Sequence, residues 1–240
     1  SAASPSRRAT IYLIKNGGAL PVRAQGGIPS LERAIGDPET AGVSSWTDAE
    51  SDAAWSSPDP ATALMALDRF HPIPDAPLRA DSWAEWLYFN GRAGDNRFYL
   101  TFLVGPTRGP GRRAAGVRLQ LDRAGTRSSY SQMQEVSEAD VLSNAPNLTI
   151  GSSRVRLDGL RYKVTLDLPA EGGGSRAIGD IFIDASPGRA LPPLTIRGAG
   201  GWESGYGVPV MSGRLSGALT LLRQDHGGRA LDGTPVVFDD

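Results

Sequence analysis

From Trp83 onward, short runs of alternating apolar and polar residues are separated by turns rich in glycine and proline. A period of two puts successive side chains on opposite faces of a strand, whereas a helix needs a period near 3.6. Val117, Leu119 and Leu121 alternate with Arg118, Gln120 and Asp122, and Tyr162, Val164, Leu166 and Leu168 share one face. The pattern predicts a strand over residues 83–90 and a hairpin partner over 97–104, with the turn between Gly91 and Asn96. Residues 105–111 read as a loop. Further strands are predicted over 117–122, 128–136, 147–150, 154–157, 161–168, 178–185 and 215–223, with another in progress over 235–238. A parallel sheet would need amphipathic helices between its strands, and none is visible here. Thirty glycines and 18 prolines in 240 residues also favour many short elements over long helices. The expected class is all-β, an antiparallel barrel or a β-sandwich.

The first 79 residues differ in texture and read as a loop-rich extension preceding a β domain over 80–240. Residues 10–14 read as a short strand followed by a Gly17-Gly18 turn. Residues 36–62 form a loop pinned by Trp46 and Trp55. Pro60 suits the first turn of a short helix reaching Phe70, with Leu64, Leu67 and Phe70 near helical spacing. The run His71-Pro72-Ile73-Pro74-Asp75-Ala76-Pro77 must be extended, because proline disfavours the helical region for its predecessor.

Composition removes several function classes. The 25 basic and 26 acidic side chains give a formal charge of −1, without the electrostatic footprint of a nucleic-acid binder. The chain has no cysteine, which excludes a disulfide framework, an iron–sulfur cluster and a thiol nucleophile. Its two histidines, His71 and His226, make no metal-ligand spacing. There is no Gly-x-Ser-x-Gly elbow. Gly198-Ala199-Gly200-Gly201 lacks the Lys-Ser/Thr of a phosphate loop. No metal or cofactor is therefore expected. No run of 18 apolar residues occurs, so no transmembrane segment is expected. A cytoplasmic or membrane-peripheral location fits, with export after removal of a signal peptide left open.

Two clusters carry the functional signal. In Trp83-Ala84-Glu85-Trp86-Leu87-Tyr88-Phe89-Asn90-Gly91, strand alternation aligns Trp83, Glu85, Leu87 and Phe89 on one face. Trp86, Tyr88 and Asn90 lie on the other. Two amphipathic aromatics beside an amide suit the wall of an apolar pocket, and equally an aromatic core strand whose polar tips find ordinary partners. Glu85 is expensive to bury unpaired. It is exposed, paired with an arginine, or a catalytic acid with a raised pKa. The second cluster runs from Gly200 to Gly213, where Trp202, Tyr206 and Met211 offer soft apolar surface among glycines; ligand lining and loop packing both fit.

Glu85-Trp86-Leu87-Tyr88-Phe89-Asn90-Gly91 resembles the Glu-Trp-Trp-Tyr-Phe-x-Gly signature of the hydroxyneurosporene synthase (carotenoid 1,2-hydratase) family, with Leu87 at the second tryptophan. Residues 198–217 resemble that family's glycine-rich passage followed by Tyr-x-x-Pro-x-x-Ser-Gly-x-x-x-Gly. The resemblance spans residue 80 to the end and implies a lipocalin-like fold. It further implies an apolar polyene, isoprenoid or polyketide ligand, and a cofactor-free hydratase (a lyase) or cyclase. Glu85 would then be the acid, and Trp86, Tyr88, Asn90, Trp202, Tyr206 and Met211 the binding residues. A non-catalytic lipocalin-like carrier is the alternative. Family members continue with an Asp-His-bearing stretch and a second lipocalin-like domain. These 240 residues are accordingly expected to pack against such a domain, a second chain or another copy of themselves.

Overall fold

The computed structural model describes residues 10–15, 18–23, 59–73, 80–186, 191–197, 203–225 and 227–239. The chain divides into two compact units, Ser1–Ser56 and Ser57–Asp240. In the first, β1 (Thr10–Lys15) and β2 (Gly18–Arg23) pair antiparallel, from Thr10↔Arg23 to Lys15↔Gly18.

The second unit opens with helix α1 (Pro60–Leu67). Asp59 caps it by accepting from the Thr62 backbone N–H at 2.9 Å, and Pro60 occupies the first turn, where its missing donor costs nothing. The helix ends at Leu67, three residues before the predicted end. Asp68 caps it, and the chain turns so that Phe70 is buried beyond it.

A four-strand meander follows: β3 (Glu85–Ala93), β4 (Asn96–Gly109), β5 (Arg112–Arg123) and β6 (Thr126–Ser137), in the order β3-β4-β5-β6. The predicted loop over 105–111 is mostly strand. β4 continues to Gly109 through register shifts between Val104 and Thr107 and between Thr107 and Gly109, and bulges of this kind bend a strand without ending it.

Helix α2 (Glu138–Asn144) was not predicted, being only seven residues long. Its local signal is the Ser137 cap, which accepts from the Asp140 backbone N–H, with Glu138 and Asp140 in the first turn. Then come β7 (Leu148–Ile150), β8 (Ser153–Asp158), β9 (Arg161–Pro169) and β10 (Ser175–Ala185). A separate hairpin, β11 (Leu191–Arg197) and β12 (Glu203–Val208), precedes β13 (Gly213–Gln224) and β14 (Ala230–Asp239). β10 pairs with β13 across that hairpin, and the second sheet runs β14-β13-β10-β9-β8-β7. Part of the glycine-rich 198–213 passage is thus strand β12.

The architecture is a two-sheet antiparallel sandwich, and the sheets do not merge into a closed barrel. They draw together along both sides. Tyr130 bridges Ala170, with Glu171 N–H donating to Ser129 O at 3.0 Å. On the other side Asn96 Nδ2 donates to Val237 O. Phe98, Leu100, Phe102, Val117 and Leu119 of the smaller sheet face Val155, Val164, Leu166, Ile181 and Leu219 of the larger, all essentially without solvent contact. Phe98 and Phe238 meet edge to face at 5.4 Å. Apolar side chains therefore occupy the space between the sheets.

Candidate functional site

Strand β3 carries the site, because its two faces carry different chemistry. Glu85, Leu87 and Phe89 face inward, while Trp86, Tyr88, Asn90 and Arg92 face out.

On the inner side Glu85 meets residues 68–73, a strap laid across one end of the sandwich. Both carboxylate oxygens are engaged by His71: Oε2 accepts from the backbone N–H and Oε1 from Nδ1, each at 2.7 Å. An ionised carboxylate can only accept, so Nδ1 carries the proton in this arrangement. The His71 ring stays largely in solvent, whereas Glu85 is mostly covered. The strap is held from below by Arg113, which is wholly buried. Its guanidinium donates to the carbonyls of Gly105 at 2.9 Å and His71 at 3.2 Å. Burial pushes the Arg113 pKa down, and the nearby charges of Glu85 and Glu138 oppose that shift. Glu85 thus has an arginine close by, yet its hydrogen-bond partner is a histidine.

The other end of the strap docks on the second sheet. The Tyr162 hydroxyl makes a short hydrogen bond to the Asp68 carboxyl, and Phe89 packs edge to face on the Tyr162 ring at 5.2 Å. Burial raises the Asp68 pKa, with the Tyr162 bond opposing it. Burial, followed by the Asp68 charge, pushes the Tyr162 phenol far up, so it remains a donor. Sequence reading missed this pair. Nothing local marks Asp68 beyond a helix end, and its partner lies 94 residues away.

The outer face of the smaller sheet is a grid fixed by register. Trp86, Leu103, Gly116 and Met133 form one row. Tyr88, Thr101, Arg118 and Ser131 form the next, and Asn90, Tyr99, Gln120 and Ser129 a third. On the edge strand β3, Trp86 is 41% exposed and Tyr88 44%, high values for aromatic rings. An open hollow of about 280 Å³ lies on this grid, lined by Thr101, Leu103, Gly116, Arg118, Ser131 and Met133, and by Glu171. Gly116 makes it possible. A Cβ there would sit 2.2 Å from the Met133 sulfur, so only glycine lets Met133 lie across the strand. Arg118 closes one side through its 3.1 Å ion pair with Glu171.

The outer face of the larger sheet contrasts with this. Its charges are paired across β9 and β10: Arg161 lies directly opposite Asp184 at 3.1 Å, Lys163–Asp180 at 3.4 Å and Arg176–Asp167 at 2.6 Å are diagonal neighbours, and Arg161 and Lys163 both lie over the Phe182 ring.

The structure brings Trp86, Tyr88 and Asn90 together on one face beside a hollow, and puts Glu85 on the opposite face of the same strand. Met211 is exposed at 59% after β12. The backbone of Tyr206 pairs with Leu194, its side chain lies outside the described residues, and so do Trp202 and His226. Among the described residues no three His, Asp or Glu side chains converge as a metal site, and no helix is long and apolar enough to cross a membrane. The chain matches no protein-family model, no curated protein and no solved structure.

Proposed function

We propose that this protein binds an apolar small molecule, of polyene, isoprenoid or polyketide type, on the outer face of the four-stranded sheet. The observation that carries this reading is the exposed Trp86–Tyr88 pair beside the Leu103–Gly116–Met133 hollow. A concavity floored by aliphatic and thioether groups, with exposed aromatic rings beside it and a few fixed polar groups at its rim, suits an apolar ligand. The likeness of the β3 sequence to the hydroxyneurosporene synthase signature supports the same ligand class.

Two activities fit such a site. In a cofactor-free hydratase or cyclase, the acid must lie on the ligand's side of the sheet, and Glu85 lies on the other side, engaged with His71. That separation favours the second activity, a carrier that holds the ligand without transforming it. In the catalytic version, the acid comes from a surface that packs over Trp86, such as a second lipocalin-like domain, another chain or another copy.

Titration with all-trans-retinol, a neutral polyene alcohol, tests the reading by quenching of tryptophan emission and by retinol fluorescence. Saturable binding that weakens about tenfold in W86A and in Y88A is expected, matching the loss of one stacked aromatic contact. Retinol affinity unchanged in both variants would place the ligand elsewhere. Product formation during the incubation would decide for the enzyme over the carrier.

A further inference from the structure

The grid on the outer face continues past Asn90 to a fourth row at the hairpin tips. Arg92, Arg97, Asp122 and Arg127 stand opposite one another across β3, β4, β5 and β6. Directly opposed like charges destabilise a strand pair, so Arg92 against Arg97 is costly unless something neutralises it. The carboxylate of the row is already engaged. Asp122 accepts from Arg127 through both oxygens, at 2.9 and 3.3 Å, and its pKa is held low by that bond and by the charges of Arg127 and Arg97. Among the described residues, Arg92 Nε donates to the Gly94 carbonyl at 3.0 Å, and Arg97 reaches the Tyr99 hydroxyl at a marginal 3.5 Å. Among the described residues neither arginine is in an ion pair. Both line a second hollow of about 280 Å³ together with the carboxyls of Asp95 and of Asp122, the latter held by Arg127, and the two hairpin turns wall it through Gly94, Ala124 and Gly125.

The face therefore grades in one direction. It is apolar at Trp86, Leu103 and Met133, polar at Tyr88, Asn90, Tyr99 and Gln120, where the charge of Arg118 is matched by Glu171, and cationic at Arg92 and Arg97. The apolar and cationic rows are six residues apart along β3, about 20 Å at strand rise. That is the length of a long acyl or isoprenoid chain with its terminal group. We infer that the ligand is an amphipathic acid. Its apolar chain lies on Trp86 and Met133, and a terminal carboxylate or phosphate sits between the Arg92 and Arg97 guanidiniums. This rests on the apolar-ligand reading above and adds the headgroup. Two hollows at the ends of one face suit a single extended molecule. A membrane surface would be met by protruding groups.

The test uses cis-parinaric acid, a fluorescent polyene fatty acid, beside its methyl ester. The acid is expected to bind about tenfold more tightly than the ester, the difference a charge-assisted contact to arginine supplies. R92Q/R97Q should erase that preference while leaving ester affinity unchanged. R214Q, on an exposed arginine of β13, should change neither. Competition by dodecanoate against dodecyl phosphate identifies which anion the guanidiniums prefer. Equal affinity for acid and ester in the wild-type protein overturns the headgroup inference and leaves the chain site standing. Failure of both probes to bind overturns the two readings together. Retention on phosphatidylglycerol vesicles without saturable binding of monomeric parinaric acid would overturn the inference in favour of a lipid surface.

Discussion

Asp68 and Tyr162 show how much one tertiary contact alters a residue's chemistry. In an unfolded chain Asp68 is an ordinary carboxyl. Folding buries it and raises its pKa, so the folded state holds the proton more firmly than the unfolded state does. The sign follows directly. Below its ordinary value near 3.8 both states are protonated and the group is neutral to stability. As pH rises from there through the folded value, the unfolded state gains by ionising first, and stability is lost. D68N keeps the acceptor for Tyr162 without the charge. Its melting temperature should exceed the wild type's by a few degrees at pH 7 and match it near pH 3.5; a variant less stable at pH 7 would refute the assignment. Y162F leaves a buried carboxyl without its donor and should cost about 1–3 kcal/mol at neutral pH, measured by urea denaturation. The strap's other anchor, His71 on Glu85, had a partly legible signal. A carboxylate inside an aromatic run had to be exposed, paired or catalytic, and the chemistry of the run alone does not choose His71 as its partner.

At the scale of elements, turns and strand pairs impose local requirements. Between β5 and β6, Ala124 and Gly125 both have positive φ, 44° and 83°, the pair of conformations a type I′ hairpin turn needs. Alanine is strained there, and asparagine tolerates that region. A124N should therefore raise stability by about 0.5–1 kcal/mol, read as a higher urea midpoint at constant slope. The β10–β13 pair makes the opposite demand. Gly217 has φ 110°, and a Cβ on it would lie 2.3 Å from the Asp180 carbonyl oxygen; Gly179 faces the Ala218 carbonyl oxygen in the same way. Backbone cannot step aside as a side-chain tip can. G217A should cost about 3 kcal/mol or more, and a loss under about 1 kcal/mol would show that the two strands can separate there. Both strands are legible in sequence as period-two runs. Their pairing across the β11–β12 hairpin is not, because alternation describes faces and carries no information on neighbours.

At the scale of the molecule, the described core runs from Leu64 to Phe238, and α1 contributes Leu64 to it. A chain starting at Ser57 retains all of those residues. Such a fragment should unfold in one cooperative transition with a near-UV circular dichroism signal, and a gradual, non-cooperative melt would show that its core is incomplete. The same fragment contains both hollows of the outer face, so parinaric acid should bind it as it binds the full chain.

The all-β class and most strand positions were set locally, because alternation of side chains and the punctuation of glycine and proline act over a few residues. The split of β3 into a Glu85 face and a Trp86–Tyr88–Asn90 face follows from the same geometry. Three things were decided only by assembly. A sandwich formed in place of a closed barrel because the two sheets draw together at their sides without merging. The face of β3 that bears Trp86 and Tyr88 remained uncovered by the second sheet, which packs on the other. The arginines of the fourth row came together from positions 92, 97 and 127 through strand register. Alternation specifies the face on which each arginine lies, and only pairing specifies which residues stand beside it.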